Sequence, residues 1–199
     1  PMTTIENSFA SLHDWNLLTE PSDQGEITNL GSFVSALGVD VALGCFIGLG
    51  IQFGVAAEAI EMAAVMSFPK APFQITNPLI HSPDVFNEII SKVYAVKCHF
   101  DANLYSEPMA LMNALWDFQA ASNKSRWCLS HRISYARITQ LQSTRNTLLK
   151  RVADFLGIHE SKLQVVAPPV HMPHYKARLL RVLKVWVFSD FIVECRPPK

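Results

Sequence analysis

The chain has no lysine or arginine before Lys70. It also lacks the sequence marks of self-contained catalysis. No G-x-x-x-x-G-K-S/T phosphate loop is present: Gly44, Gly48, Gly50 and Gly54 lie in apolar sequence with no Lys-Ser/Thr after them. H-E-x-x-H, G-x-S-x-G and C-x-x-C are absent too. Cysteine is sparse, with Cys45, Cys98, Cys128 and Cys195 scattered, which does not suggest a disulfide framework and predicts a reducing, intracellular compartment, nuclear or cytoplasmic. Residues 1–26 hold no basic start followed by an apolar block, so no secretory leader is expected. There is no internal repeat and no low-complexity tract.

Charge is unevenly placed. Residues 1–123 carry three lysines and thirteen carboxylates, a balance of −10, whereas residues 124–199 carry fourteen Lys or Arg and four carboxylates, a balance of +10. Two readings are open: one half faces a polyanion, or both halves are ordinary solvated faces of one fold.

What the chain does have is a long apolar run, Val41 to Phe73, with no charge between Asp40 and Glu58. A helix apolar on every side is buried in protein or in a membrane. Val41–Ala57 approaches the roughly 20 residues of a membrane span, and Gly44 and Gly48 sit four apart, as at membrane helix contacts. But Gly50, Gln52 and Gly54 interrupt the run, and no basic residue flanks it to set an orientation. A buried helical hairpin is therefore expected: a helix, a break at Gly54, a second helix, then a stop at Pro69 and Pro72. In the second helix Ala56, Ala57, Ile60, Ala63 and Ala64 share a face, which puts Glu58 and Glu61 in solvent rather than in an acid–base pair.

Before the hairpin the order reads helix (4–13), strand (Trp15, Leu17, Leu18), polar turn, strand (Glu26–Thr28), helix (Leu30–Leu37), with Thr28 or Asn29 as cap. This is the order of a small winged-helix unit. The last helix has no Lys or Arg, so it is not expected to read a DNA groove. After the hairpin come a proline-bearing loop (Gln74–Pro83) and two helices. Asp84–Phe100 has Val85, Ile89, Val93 and Val96 on one side. Met109–Ala121 has Leu111, Met112, Leu115, Trp116 and Phe118, a stripe read as core.

Trp127–Leu156 reads as the longest helix, ended by Gly157, with Arg132, Arg137, Arg145, Lys150 and Arg151 against Asp154 as its one acid. Arg137, Leu141, Arg145 and Leu148 fall in one sector. Arginines sharing a face with core leucines are either paired internally or line a channel holding an anion. Ser161–Val166 reads as short and extended. Pro168, Pro169 and Pro173 make a stiff connection. His174–Phe188 reads as a last helix, with Leu179, Leu180, Leu183 and Trp186 as its apolar side and Lys176, Arg178, Arg181 and Lys184 as a solvated face. Phe191–Cys195 reads as a strand without a partner, as if a further domain followed. Cys128 with His131 and His171 with His174 each offer two zinc ligands, but a structural site takes four, so no metal site is expected.

Taken in order, these segments resemble the C-terminal helicase-associated region of DEAH-box RNA helicases over most of the chain. Gly25–Gly31 (GEITNLG) is similar to that family's G-x-L/I-T-x-L-G pattern. Glu58–Phe73 (EAIEMAAVMSFPKAPF) is similar to its E-x-L-x-I-A-A-x-L-S…P-F run. Ser106–Trp116 resembles S-D-H-L-x-L-L-N-x-Y/F, with Asn113 in place. Trp127–Cys128 followed by Arg145 and Leu148 resembles W-C-x-x-H/N…R-x-Q-L. Pro108 replaces the usual His, Ala136 a common basic residue and Thr147 the usual Gln, the marks of a divergent member.

The resemblance implies a mainly α chain in three parts: a winged-helix unit (1–38), a ratchet helical bundle (39–160), and a linker, terminal helix and start of an oligonucleotide-binding fold (161–199). It implies a non-catalytic part of an ATP-dependent helicase, monomeric and away from membranes. This part would need no cofactor of its own, with ATP and Mg held by RecA-like motor domains elsewhere in the parent protein. Its expected partners are those domains and single-stranded RNA, gripped by Arg145 and Arg137, with Arg132, Ser134 and Gln140 in support. A helical protein-interaction module without nucleic-acid binding is the alternative.

Overall fold

The computed structural model describes residues 2–189 except 69, 75–78, 80 and 81. The fold is mainly α. Among the described residues the helices are α1 (Met2–Asp14), α2 (Asn29–Leu37), α3 (Val41–Gln52), α4 (Ala56–Met66), α5 (Pro83–Asp101), α6 (Glu107–Ala120), α7 (Lys124–Ser130), α8 (Tyr135–Leu156) and α9 (His174–Val187).

The two strands expected between α1 and α2 reduce to one antiparallel bridge, Leu18 to Ile27. Ile27 stays 57% exposed, so it lacks the cover that a wider sheet would need. Thr28 caps α2: its hydroxyl accepts from Gly31 N–H at 3.0 Å and donates to the Asn16 carbonyl at 2.7 Å.

α3 and α4 form the expected hairpin and sit at the centre. α3 packs on α2, α4 and α9, and α4 packs also on α6 and α8. Glycines let the backbones close in. A Cβ on Gly44 would stand 2.8 Å from Val34 Cγ1, one on Gly48 2.9 Å from Leu30 Cδ1, and one on Gly50 2.3 Å from Ala59 Cβ. The four-apart glycine pair thus serves a helix contact inside the protein. Gly54 makes the break in a left-handed conformation (φ +71°). Among the described residues no single helix is long and apolar enough to cross a membrane. α2 and α3 reach that length only together, and they turn by 118° between them.

Several expectations are corrected. Glu58 and Glu61 are not in solvent: they are 6% and 2% exposed, because α4 is enclosed on all sides. Trp127–Leu156 is not one helix. α7 ends at Ser130, Arg132 takes φ +51°, and Ile133 bridges to Phe73. Gln74 N–H donates to the Arg132 carbonyl and Ser134 N–H to the Pro72 carbonyl, both at 2.8 Å. Pairing with the 72–74 segment takes these backbone groups out of the helix, and α8 starts afresh at Tyr135.

α5 is more exposed than its spacing predicts, with Val93 and Phe100 buried and Val85 43% exposed, since α6 is its main neighbour. The buried side of α9 is Ala177, Leu180, Leu183 and Val187, which leaves Trp186 64% exposed. Ser161–Val166 is not extended; Glu160–Leu163 is a 3₁₀ turn capped by the His159 side chain. Phe191–Cys195 and part of the Gln74–Pro83 loop lie outside the described residues. Cys45 and Cys128 are buried free thiols, and Cys98 is an exposed one. Burial, helped by the nearby Asp40 charge, pushes the Cys45 thiol up to about 11, which keeps it protonated and unreactive.

Candidate nucleic-acid interface

α8 presents two contrasting sides. Ile138, Leu141, Leu148, Leu149 and Val152 are buried against the hairpin. Gln140, Thr144, Thr147 and Arg151 recur at intervals of four, three and four residues, so they align along one solvent-facing stripe. With Ser143 they form one wall of a cleft of about 570 Å³, whose other wall is the α2–α3 corner and Ser67. The Thr144 hydroxyl donates to the Gln140 carbonyl at 3.1 Å, whereas the Ser143 and Thr147 hydroxyls, the Gln140 amide and the Arg151 guanidinium suit a phosphate-bearing strand. Asp40 shares the cleft, but its carboxylate is engaged as the cap of α3, accepting from Ala42 N–H at 2.9 Å.

The five residues expected to touch RNA are not gathered in one place. Gln140 lies on the stripe. Arg137, one turn earlier, is half-buried and donates from Nη1 to the Ala71 carbonyl at 3.3 Å, which ties α8 to the chain after α4. Arg132 and Ser134 stand at the elbow before α8, held by their backbone bonds to Gln74 and Pro72. Arg145 is turned to the interior. Its side chain is 14% exposed and its Nη2 lies 3.8 Å from Glu61 Oε2. Of the two readings open for this arginine, internal pairing describes its position.

Among the described residues, that pairing is one of two ion pairs that cross between the acidic and basic halves of the chain. Glu58, one turn before Glu61 on α4, accepts a hydrogen bond from Lys176 Nζ of α9 at 2.6 Å. The split in charge therefore appears in the fold partly as buried ion pairs, a third outcome beside the two weighed from composition. Lys176 is accordingly not on a solvated face. Arg181 is spent as well, donating from Nη2 to the Leu104 carbonyl at 2.7 Å. The Glu61 pair is loose: Oε2 has no hydrogen-bond partner. Burial pushes its carboxyl up to about 7, against the pull of Arg145 and with a further push from Glu58.

The motif residues have structural work. The buried Asn113 amide donates to the Phe100 carbonyl at 2.8 Å and accepts from Val170 N–H at 3.1 Å, joining α6 to the end of α5 and to the proline-rich connection. Trp127 Nε1 donates to Asp117 Oδ2 at 2.7 Å. The His131 ring lies over Trp127 with centroids 4.5 Å apart, a ring contact at the α7–α8 elbow. Thr144, Thr147 and Arg151 were missed as site candidates, although their spacing from Gln140 is visible in the sequence. Arg151 has a local role too, donating from Nη1 to the Leu37 carbonyl at 2.6 Å at the end of α2.

The fold and site define a helical domain built on a buried hairpin, with a polar and cationic helix along its side. No protein-family model matches the chain.

Proposed function

We propose that this chain is the non-catalytic, helicase-associated part of an ATP-dependent RNA helicase, and that single-stranded RNA lies along the outward stripe of α8. The motor domains that bind ATP and Mg would be its partners within the parent protein. The observation that carries the reading is the row Gln140, Thr144, Thr147, Arg151 beside an open cleft. The order of the helicase-like motifs along the chain supports it. The test is fluorescence anisotropy of a labelled single-stranded RNA at low and high salt. Binding that weakens as salt rises, and weakens further in Gln140→Ala with Arg151→Gln, is expected. Binding that ignores both salt and these substitutions would contradict it.

One feature favours the alternative, a protein-interaction module. Tyr175, Val182, Val185 and Trp186 are 65%, 58%, 54% and 64% exposed and lie on one side of α9. Absence of RNA binding at low salt, together with binding to RecA-like domains that Trp186→Ser abolishes, would favour this second reading.

A further inference from the structure

A second cleft, of about 440 Å³, lies beside the first. Ser67 and Gln140 line the first; their chain neighbours Phe68 and Leu141 line the second. Its other walls include Ala71, Tyr105, Glu107 and Lys184. Arg137, half-buried, donates to the carbonyl of Ala71 in the wall of the second cleft.

Tyr105 is the notable member. The residue is 88% exposed, on a loop that is otherwise firmly held. The Asp101 carboxylate accepts from Tyr105 N–H at 3.1 Å and from Ser106 N–H at 3.0 Å, and Arg181 grips the Leu104 carbonyl at 2.7 Å. Tyr105 itself sits at φ +50°, which residues with a side chain rarely adopt. The loop is thus tied from two sides and presents an aromatic ring to solvent at a cleft edge. Phe68, half-buried, adds a second aromatic surface. Glu107 faces Lys97 at 3.6 Å, whereas no ion pair engages Lys184 among the described residues. Two aromatic rings and an uncommitted ammonium around one cleft match the parts of a nucleotide, a flat base and a phosphate.

We propose that this cleft is a nucleobase site, in which Tyr105 stacks on a base of single-stranded RNA and Lys184 takes the adjoining phosphate. It rests on the RNA-binding reading above and extends it, since the two clefts adjoin at Ser67–Phe68 and Gln140–Leu141. Tyr105, remote from the stripe in sequence, becomes a specific contact rather than a solvent-exposed ring.

The test uses the 199-residue chain with labelled tyrosine rings, followed by nuclear magnetic resonance during titration with a uridine hexaribonucleotide and, separately, uridine monophosphate. The Tyr105 ring signals should shift with the hexamer. Tyr105→Ala should weaken hexamer binding about tenfold, while Tyr105→Phe, which keeps the stacking surface, should bind as the parent does. Lys184→Gln should weaken binding and flatten its salt dependence. If the hexamer binds in a salt-dependent way but the Tyr105 ring is silent and Tyr105→Ala binds normally, the base site is overturned and the stripe stands. If the hexamer does not bind but the monophosphate moves the Tyr105 ring, the base site stands and the polymer reading falls. If neither nucleotide moves the ring, or only a proline-rich peptide does, the inference is overturned.

Discussion

Glu61 and Arg145 meet inside the protein, carboxylate to guanidinium at 3.8 Å, a separation that gives a charge pair without a hydrogen bond. One comes from the acidic half of the chain and the other from the basic half. A pair so placed is costly to desolvate and incompletely satisfied, so it responds to pH and to the loss of either member.

Stability should therefore fall as pH rises from about 4.5 to 7. The Glu61 carboxyl moves from its ordinary 4.5 up to about 7 in the folded protein. Between these values the folded state keeps a proton that the unfolded chain releases, so each step up in pH favours unfolding. Above 7 both states are ionised and the dependence ends. The full effect is about 3 kcal/mol. Urea unfolding at pH 4.5 and 7.5, compared with Glu61→Gln, isolates it: the variant should lack this part of the slope. Equal slopes would show that Glu61 holds no such proton.

Arg145→Met should destabilise the protein by about 3 kcal/mol at pH 8, where Glu61 must either stay buried as an unpaired charge or take up a proton against the pH. At pH 6 the cost should be smaller, because Glu61 takes up a proton instead. Adding Glu61→Leu should recover much of the loss, a coupling that a double-mutant cycle reads directly. Among folded molecules, RNA affinity should fall less for Arg145→Met than for Gln140→Ala with Arg151→Gln. The opposite order would place Arg145 at the RNA.

Asn113→Ala should cost about 1–3 kcal/mol, since it strands the Phe100 carbonyl in the interior, whereas Val170 is 45% exposed and its N–H has access to water. Asn113→Asp should be no better, as it keeps the acceptor but sets an oxygen against the Phe100 carbonyl. Thermal unfolding monitored by circular dichroism measures both. A cost under half a kcal/mol would mean that the bridge between α6 and the proline-rich segment contributes nothing.

The hairpin glycines separate packing from backbone strain. Gly50→Val should destabilise by about 2 kcal/mol through overpacking, because its Cβ would lie 2.3 Å from Ala59 Cβ. Gly54→Ala meets no atom within 4 Å and should cost only the left-handed conformation, about 1 kcal/mol. Chemical denaturation of the two variants gives the order, and a reversed order would rule out the tight α3–α4 contact.

Helix positions were legible where apolar spacing met a capping or breaking residue. Thr28, Gly54 and Gly157 mark ends in the sequence and do so in the structure. Leu111, Met112, Leu115 and Phe118 of the α6 stripe are core, as their period implied, while Trp116 is only half-buried. The elbow before α8 was not legible. Nothing local in residues 131–134 forbids a helix; the bridge from Phe73 to Ile133 does, and it joins segments far apart in the chain. The polar stripe from Gln140 to Arg151 was readable in spacing, but its value as a site depends on the cleft wall supplied by the α2–α3 corner.

The sequence by itself determined the helical class and the buried hairpin, because apolar periodicity and caps act within a few turns of chain. Only the tertiary structure decided which charges face water. Glu58 and Glu61 look outward on an isolated helix, yet α8 and α9 close over them and bring Arg145 and Lys176 into range. Burial is set by neighbours from distant parts of the chain, and a one-dimensional pattern does not contain them.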